Sequence, residues 1–268
     1  MTACAVAALA MFSCSRPEAV SDKIGLIFET DVSSDIDDVL AMDMLYKYDD
    51  AFSIDLLAIM LNKNGFLPAE YTDIMNTWYG HPDVPVALAR GGVERKGEVD
   101  RYVIPVLARK APSGEPFYKR SHSDYQNLPD AHILYRKILA SRPDKSVDIV
   151  SVGFSTNLAR LLDTPADDIS PLSGKELVAA KVRLLSVMAV DFSDTTHAEN
   201  NVVLDIPSAK KVFETWPGEL VLSPYDVGIM AKFPWEAIEP GLDWAGGNHP
   251  AGESYKYYHP TPADHPSW

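Results

Sequence analysis

Residues 23–45 read KIGLIFETDVSSDIDDVLAMDML, and this stretch decides the architecture. Lys23-Phe28 is a short apolar run without polar alternation, the pattern of a strand covered on both faces. Asp37-Lys47 has helical period, and its opening Asp residues suit a helix N-terminus. Between them, Glu29 to Asp38 carries five carboxylates in ten residues. The alternation continues down the chain. Ile54-Met60, Val147-Val152, Val182-Val190 and Leu220-Leu222 read as further strands. Ala69-Trp78, Ala131-Ala140, Thr156-Leu162, Lys175-Ala180 and Ser208-Thr215 read as helices, several with a cap residue just ahead. Strands alternating with helices mean crossover connections. The expectation is an α/β fold: a mostly parallel open sheet with helices on both faces, in a single domain over 23–268. Arg95-Tyr125 is less regular and reads as a loop excursion, and Trp235-Trp268 gives no periodic signal.

Composition narrows the function classes. A chain of 268 residues with 46% apolar residues can bury a full core and is not disordered. Its net charge of −14 and lack of any Lys/Arg-rich run exclude a nucleic-acid surface, which needs a basic stripe. Cys4 and Cys14 both lie in the first fifteen residues, so no disulfide framework staples the body. Ala3 to Phe12 has the length and composition of a signal-peptide apolar region. Ser13-Cys14-Ser15 resembles the end of a bacterial lipoprotein signal. Residues 1–22 are therefore expected to be a leader and tether, with a lipid anchor at Cys14 and export to the periplasm or outer membrane.

The acidic loop has two explanations. Acidic side chains at a helix N-terminus satisfy free N–H groups and contribute about 0.3–1 kcal/mol each. One or two Asp residues meet that need. Crowding five carboxylates costs repulsion and desolvation unless a cation offsets them, which favours a hard metal with oxygen ligands. The loop also leaves the carboxyl end of a strand, where open parallel sheets form their ligand crevice.

The segment TDVSSDIDDVLAMDML resembles the N-terminal signature of the nucleoside hydrolase superfamily, inosine-uridine-preferring type, in which a strand ends in Asp-x-Asp-Pro-Gly-x-Asp-Asp. Val150 to Ala159, VSVGFSTNLA, resembles the family's second block, Thr-Gly-Pro-Leu-Thr-Asn-hydrophobic-Ala. Ala198-Glu199-Asn200-Asn201 with Asp205-Ile206-Pro207-Ser208-Ala209 resembles the third. The three blocks fall in order between Lys23 and about Lys232, and point to a divergent bacterial branch.

The resemblance implies Ca²⁺-dependent hydrolysis of N-glycosidic bonds of nucleosides or related ribosides, through an oxocarbenium-like transition state. It implies Asp31, Asp38 and the Val152 carbonyl as metal ligands, and Asp37, Glu199 and Asn201 as ribose contacts. Asn62 or Asn64, after the second strand, falls where the family has another sugar-binding Asn, although Asn in loops also serves turns. The family's general base is the second Asp of its Asp-x-Asp. Here Ser33 takes that place, so the role passes to Asp31 or Asp35.

The tail departs further. His249, His259 and His265 each precede Pro, which is ordinarily turn chemistry. His265-Pro-Ser-Trp268 resembles a segment that in a divergent branch runs into a late metal-binding Asp, so the expectation is a chain lacking its C-terminal end, with Trp268 where a catalytic His would stand. Asp226 is expected to be structural. Two alternatives stand beside the hydrolase. One is a non-catalytic surface lipoprotein that binds sugars or nucleosides. The other is a Mg²⁺-dependent phosphohydrolase of haloacid-dehalogenase type, suggested by Asp35-Ile36-Asp37, which leaves Glu199 and Asn201 unexplained. A homo-oligomer is compatible with all three.

Overall fold

The computed structural model describes residues 23–51, 53–94, 100–242 and 245–258. The leader with Cys14, and the tail with His259, His265 and Trp268, lie outside the described residues. Six parallel strands form one sheet in the order β3-β2-β1-β4-β5-β6. They are β1 (Ile24–Thr30), β2 (Ile54–Leu61), β3 (Val86–Ala87), β4 (Val147–Ser151), β5 (Val182–Met188) and β6 (Glu219–Ser223). β1 pairs with β2 on one side and β4 on the other, so the winding reverses between β1 and β4. That switch point is where an open α/β sheet opens a crevice at its carboxyl edge.

Unalternating apolar runs do what both-face burial requires. Phe28, Ile59 and Leu61 face one core with α1 (Asp37–Asp50) and α2 (Leu67–Tyr79). Ile27, Ala58 and Met60 face the other, packing with α4 (Ala131–Ser141), α5 (Thr156–Asp163), α6 (Gly174–Lys181) and α8 (Ile206–Thr215). Each such Ile or Phe side chain contributes about 1.5–3 kcal/mol by leaving water.

Short elements escape the sequence pattern. α3 (Val103–Ala108) interrupts the expected excursion, and β3 is only two residues long. α7 (Asn200–Val203) and α9 (Tyr225–Gly228) are single turns at the sheet's carboxyl edge. The stretch after Trp235 is not irregular throughout, because α10 (Ile238–Leu242) and α11 (Pro250–Tyr258) fold within it. α11 buries Ala251 and Tyr255 in the first core and is tied down by polar contacts as well. Glu253 pairs with Arg109 and accepts from Tyr118, and Ser254 hydrogen-bonds Tyr71 at 2.7 Å. His249 does more than turn the chain: it is buried, its Nδ1 accepts from the Ala251 N–H at the start of α11, and its Nε2 lies 2.8 Å from the Tyr79 hydroxyl.

Candidate functional site

The loop between β1 and α1 is held from several sides. Val32 N donates to Thr30 Oγ1 at 3.0 Å, and the Thr30 hydroxyl donates to the Asp38 carboxylate. Ser33 has φ +97°, a conformation that costs a non-glycine residue about 1–3 kcal/mol. It is fixed by the Tyr102 hydroxyl, which accepts from Ser33 N at 2.6 Å and donates to the Asp35 carbonyl at 3.0 Å. Lys63, buried beside the loop, donates to Ser33 Oγ at 2.9 Å and pairs with Asp100 at 3.1 Å. Tyr258 at the end of α11 donates to Asp35 Oδ1 at 2.8 Å.

These restraints crowd the carboxylates together. Burial, then the charges of Asp35 and Asp37, push the Asp31 carboxyl up to about 7, with Ser34 and Lys63 opposing. Burial, followed by Asp31 and Asp37, lifts Asp38 well above the carboxylate range. Asp37, exposed at the crevice, is raised as well, by desolvation and then by the charge of Asp35. Beneath the loop Glu29 is fully buried and pushed up to about 8, chiefly by desolvation.

Asp31, Asp35, Asp37 and Asp38 line one crevice of about 300 Å³ at the carboxyl edge. Its other walls come from the ends of neighbouring strands: Val152 after β4, Met188, His197, Glu199 and Asn201 after β5, and Tyr225 and Ile229 after β6. Glu199 also caps α7, accepting from Asn201 N at 2.8 Å and Val202 N at 3.2 Å. It accepts from Val190 N as well, at 3.2 Å. The helix that begins at Ile206 is capped by Asp205 instead. Asn201 Nδ2 donates to the Val152 carbonyl at 3.0 Å. A carbonyl oxygen has a second lone pair, so this bond leaves Val152 one acceptor site.

Asn62 and Asn64 do not join this lining. Asn62 is fully buried against Gly153, where an added Cβ would fall 2.5 Å from Asn62 Oδ1 and 2.8 Å from Asp31 N. Asn64 is spent on the turn, donating to Glu94 at 2.6 Å and accepting from Gly91 N at 3.3 Å. Asp226 accepts from Phe192 N at 3.1 Å, a loop tie.

The donor chemistry fits a hard cation. Carboxylates that repel one another in a partly buried loop favour a divalent ion, and both amide atoms of the buried Asn62 beside it have no hydrogen-bond partner among the described residues. A closed side-chain cage is not preformed: among the described residues no three His, Cys, Asp or Glu side chains are grouped as a metal site.

His197 and Tyr225 are crevice residues that pattern reading passes over. The signal available was position, since Asp191 to His197 leaves the carboxyl end of β5.

No family profile and no curated protein matches this chain. Solved structures do. The type III effector protein XopQ, solved with adenosine diphosphate ribose, superposes with a TM-score of 0.65 at 18% identity, over 90% of this chain and 66% of that one. A plant nucleoside hydrolase superposes with a TM-score of 0.60 at 19% identity, covering 90% of this chain and 73% of its own. The inosine-uridine preferring nucleoside hydrolase of Bacillus anthracis gives 0.60 at 18%, with 88% and 77% covered. The chain spans slightly less than two thirds of the effector's length. A six-stranded parallel sheet with helices on both faces, superposing on these structures at such low identity, has the α/β fold of the nucleoside hydrolases.

Proposed function

We propose that the chain hydrolyses the N-glycosidic bond of nucleosides or related ribosides, with Ca²⁺ as cofactor. The observation that carries this reading is the convergence of Asp31, Asp35, Asp37, Asp38, Glu199 and Asn201 on one crevice, from loops far apart in sequence. Cleavage passes through a ribosyl cation-like state, so fixed negative charge beside the sugar lowers the barrier. Asp31 and Asp38 hold the cation together with the Val152 carbonyl. When bound, the cation supplies Lewis-acid activation of water. Asp37 and Glu199 orient the ribose hydroxyls as acceptors. Both candidate bases line the crevice; Asp35 is exposed and accepts from Tyr258, whereas Asp31 is buried. Asp31 takes the water proton.

A binding protein without turnover is the second reading. It is favoured by Glu199 and Asn201, whose polar atoms already bond the chain's own backbone. The neighbour solved with adenosine diphosphate ribose makes a ribosyl diphosphate a fitting ligand for that reading.

Release of free base from a nucleoside panel, with Ca²⁺ and with chelator, tests the proposal. The wild type is expected to turn over only with Ca²⁺, and Asp38→Ala to lose at least about 100-fold in kcat. An Asp38→Ala variant with full activity and metal affinity would refute the site. Saturable ligand binding with no base released would establish the second reading.

A further inference from the structure

Five carboxylates between Glu29 and Asp38 call for a positive charge even before any ligand arrives, and the fold supplies one. Lys63 follows β2, which lies beside β1 with Leu61 opposite Thr30. Its side chain is therefore delivered against the β1–α1 loop. The backbone there is pinned on both sides: Asn62 N donates to the Thr30 carbonyl at 3.0 Å, and Asn64 N to the Val93 carbonyl at 3.0 Å.

The ammonium is buried, a placement that is costly unless the charge is paired. Its Nζ lies 3.1 Å from Asp100 Oδ1 and 2.9 Å from Ser33 Oγ. An ammonium can only donate, so the Ser33 hydroxyl accepts. The Asp31 carboxyl feels the same charge, which opposes the burial and the acidic neighbours that raise it. Lys63 stands behind the loop and leaves the crevice lining to Asp31, Asp35, Asp37 and Asp38.

Ser33 gives that contact its leverage. It is the left-handed residue of the loop, at φ +97°, and its N–H already donates to the Tyr102 hydroxyl. Asp100 and Tyr102 lead into α3, so the loop is clamped between the end of β2 and the start of α3. A tether alone needs only a neutral donor, which Gln would supply. A buried lysine paired with one carboxylate and set beside five others does more. It offsets like charge within the loop, and it repels any cation that enters the crevice.

Resting on the Ca²⁺ reading above, we propose that Lys63 is the built-in cation of the acidic loop: it holds the loop in shape with or without a divalent ion, and it lowers the affinity for that ion. Asp100 is its counterweight and cancels part of the repulsion. Lys63 acts through the loop and is a positioning residue for Asp31 and Asp38. The consequence is a site that exchanges its ion readily and keeps its shape between one ion and the next.

Calorimetric titration of the 268-residue chain with Ca²⁺ alone and with Tb³⁺ alone tests this. The Coulomb energy scales with the charge of the ion, so removing a unit charge beside it changes the affinity for Tb³⁺ more than that for Ca²⁺. Lys63→Gln, which keeps an amide donor for Ser33, is expected to bind Ca²⁺ about tenfold tighter and Tb³⁺ about thirtyfold tighter. Asp100→Asn, which leaves the repulsion uncancelled, is expected to bind them about tenfold and about thirtyfold more weakly. A tether without an electrostatic role predicts weaker binding in both variants, by one factor for both ions. Unchanged or weaker Ca²⁺ binding by Lys63→Gln, or equal gains for the two ions, would overturn the assignment while leaving the metal site standing. If Lys63→Gln fails to fold by circular dichroism, Asp100→Asn decides alone: an equal loss for the two ions, or no loss, overturns the proposal. If neither wild type nor Lys63→Gln binds Ca²⁺, the metal site and this assignment fall together, and base release from nucleosides by the same samples shows whether the hydrolase reading survives.

Discussion

Replacing Glu29 by Gln keeps the shape of a fully buried side chain at the end of β1 and removes its ability to ionise. Ser151 Oγ donates to Glu29 Oε2 at 3.3 Å, and Oε1 has no hydrogen-bond partner among the described residues. Desolvation dominates, lifting the carboxyl from 4.5 to about 8 against weaker support from Tyr135, Asn157 and Ser151. The folded pKa is the higher one. The stability this group contributes is therefore fully present below pH 4.5 and is lost as pH rises through about 8. At about 1.4 kcal/mol per unit, wild type has given up about 2 kcal/mol at pH 6 and about 5 kcal/mol at pH 9. Gln gives up nothing. Urea unfolding followed by circular dichroism should show the stability of Glu29→Gln relative to wild type rising by about 3 kcal/mol between pH 6 and pH 9. Every other titrating group is common to both chains and cancels in the difference. A gap that stays constant within about 1 kcal/mol, or that shrinks with pH, would refute the claim that Glu29 is folded as the neutral acid.

Two further outcomes test the frame around the site. Burial lowers His249 from 6.5 to about 4, so the stability it contributes is full above pH 6.5 and is lost as pH falls through about 4; acid titration of the melting curve should cost about 3 kcal/mol in that window, and His249→Gln should flatten it. Arg136 is fully buried and donates to Asp167, Thr164 and the carbonyls of Ser170 and Leu172; Arg136→Met should destabilise the fold by about 3 kcal/mol in urea unfolding by stranding those acceptors, without changing ligand affinity at the crevice.

Whatever long apolar runs encode was legible beforehand. β1, β2, β4 and β5 fell close to their expected limits, because strands buried on both faces leave no room for polar residues. The acidic loop, Val152, Glu199 and Asn201 were legible as a group through short motifs at strand ends, and all line one crevice. α11 was not, because PAGESYKYY is held by Arg109, Tyr71 and Tyr118, partners found only in the folded chain. For Asn64 the residue type left two roles open, since an Asn after a strand can serve a turn as well as a sugar, and the folded chain uses it to hold Gly91 and Glu94. His197 was passed over because its pairing with Asp191 is a loop contact with no periodic signature.

The bond from Tyr258 to Asp35 joins positions 223 residues apart. Synthesis runs at roughly 5–20 residues per second, so the acidic loop leaves the ribosome roughly 10–45 s before the residue that braces it exists. Throughout that interval the nascent loop is a run of like charges with one restraint missing. The crevice is thus finished late in the life of the nascent polypeptide, and whatever ligand it takes meets a completed receptor only after α11 has docked.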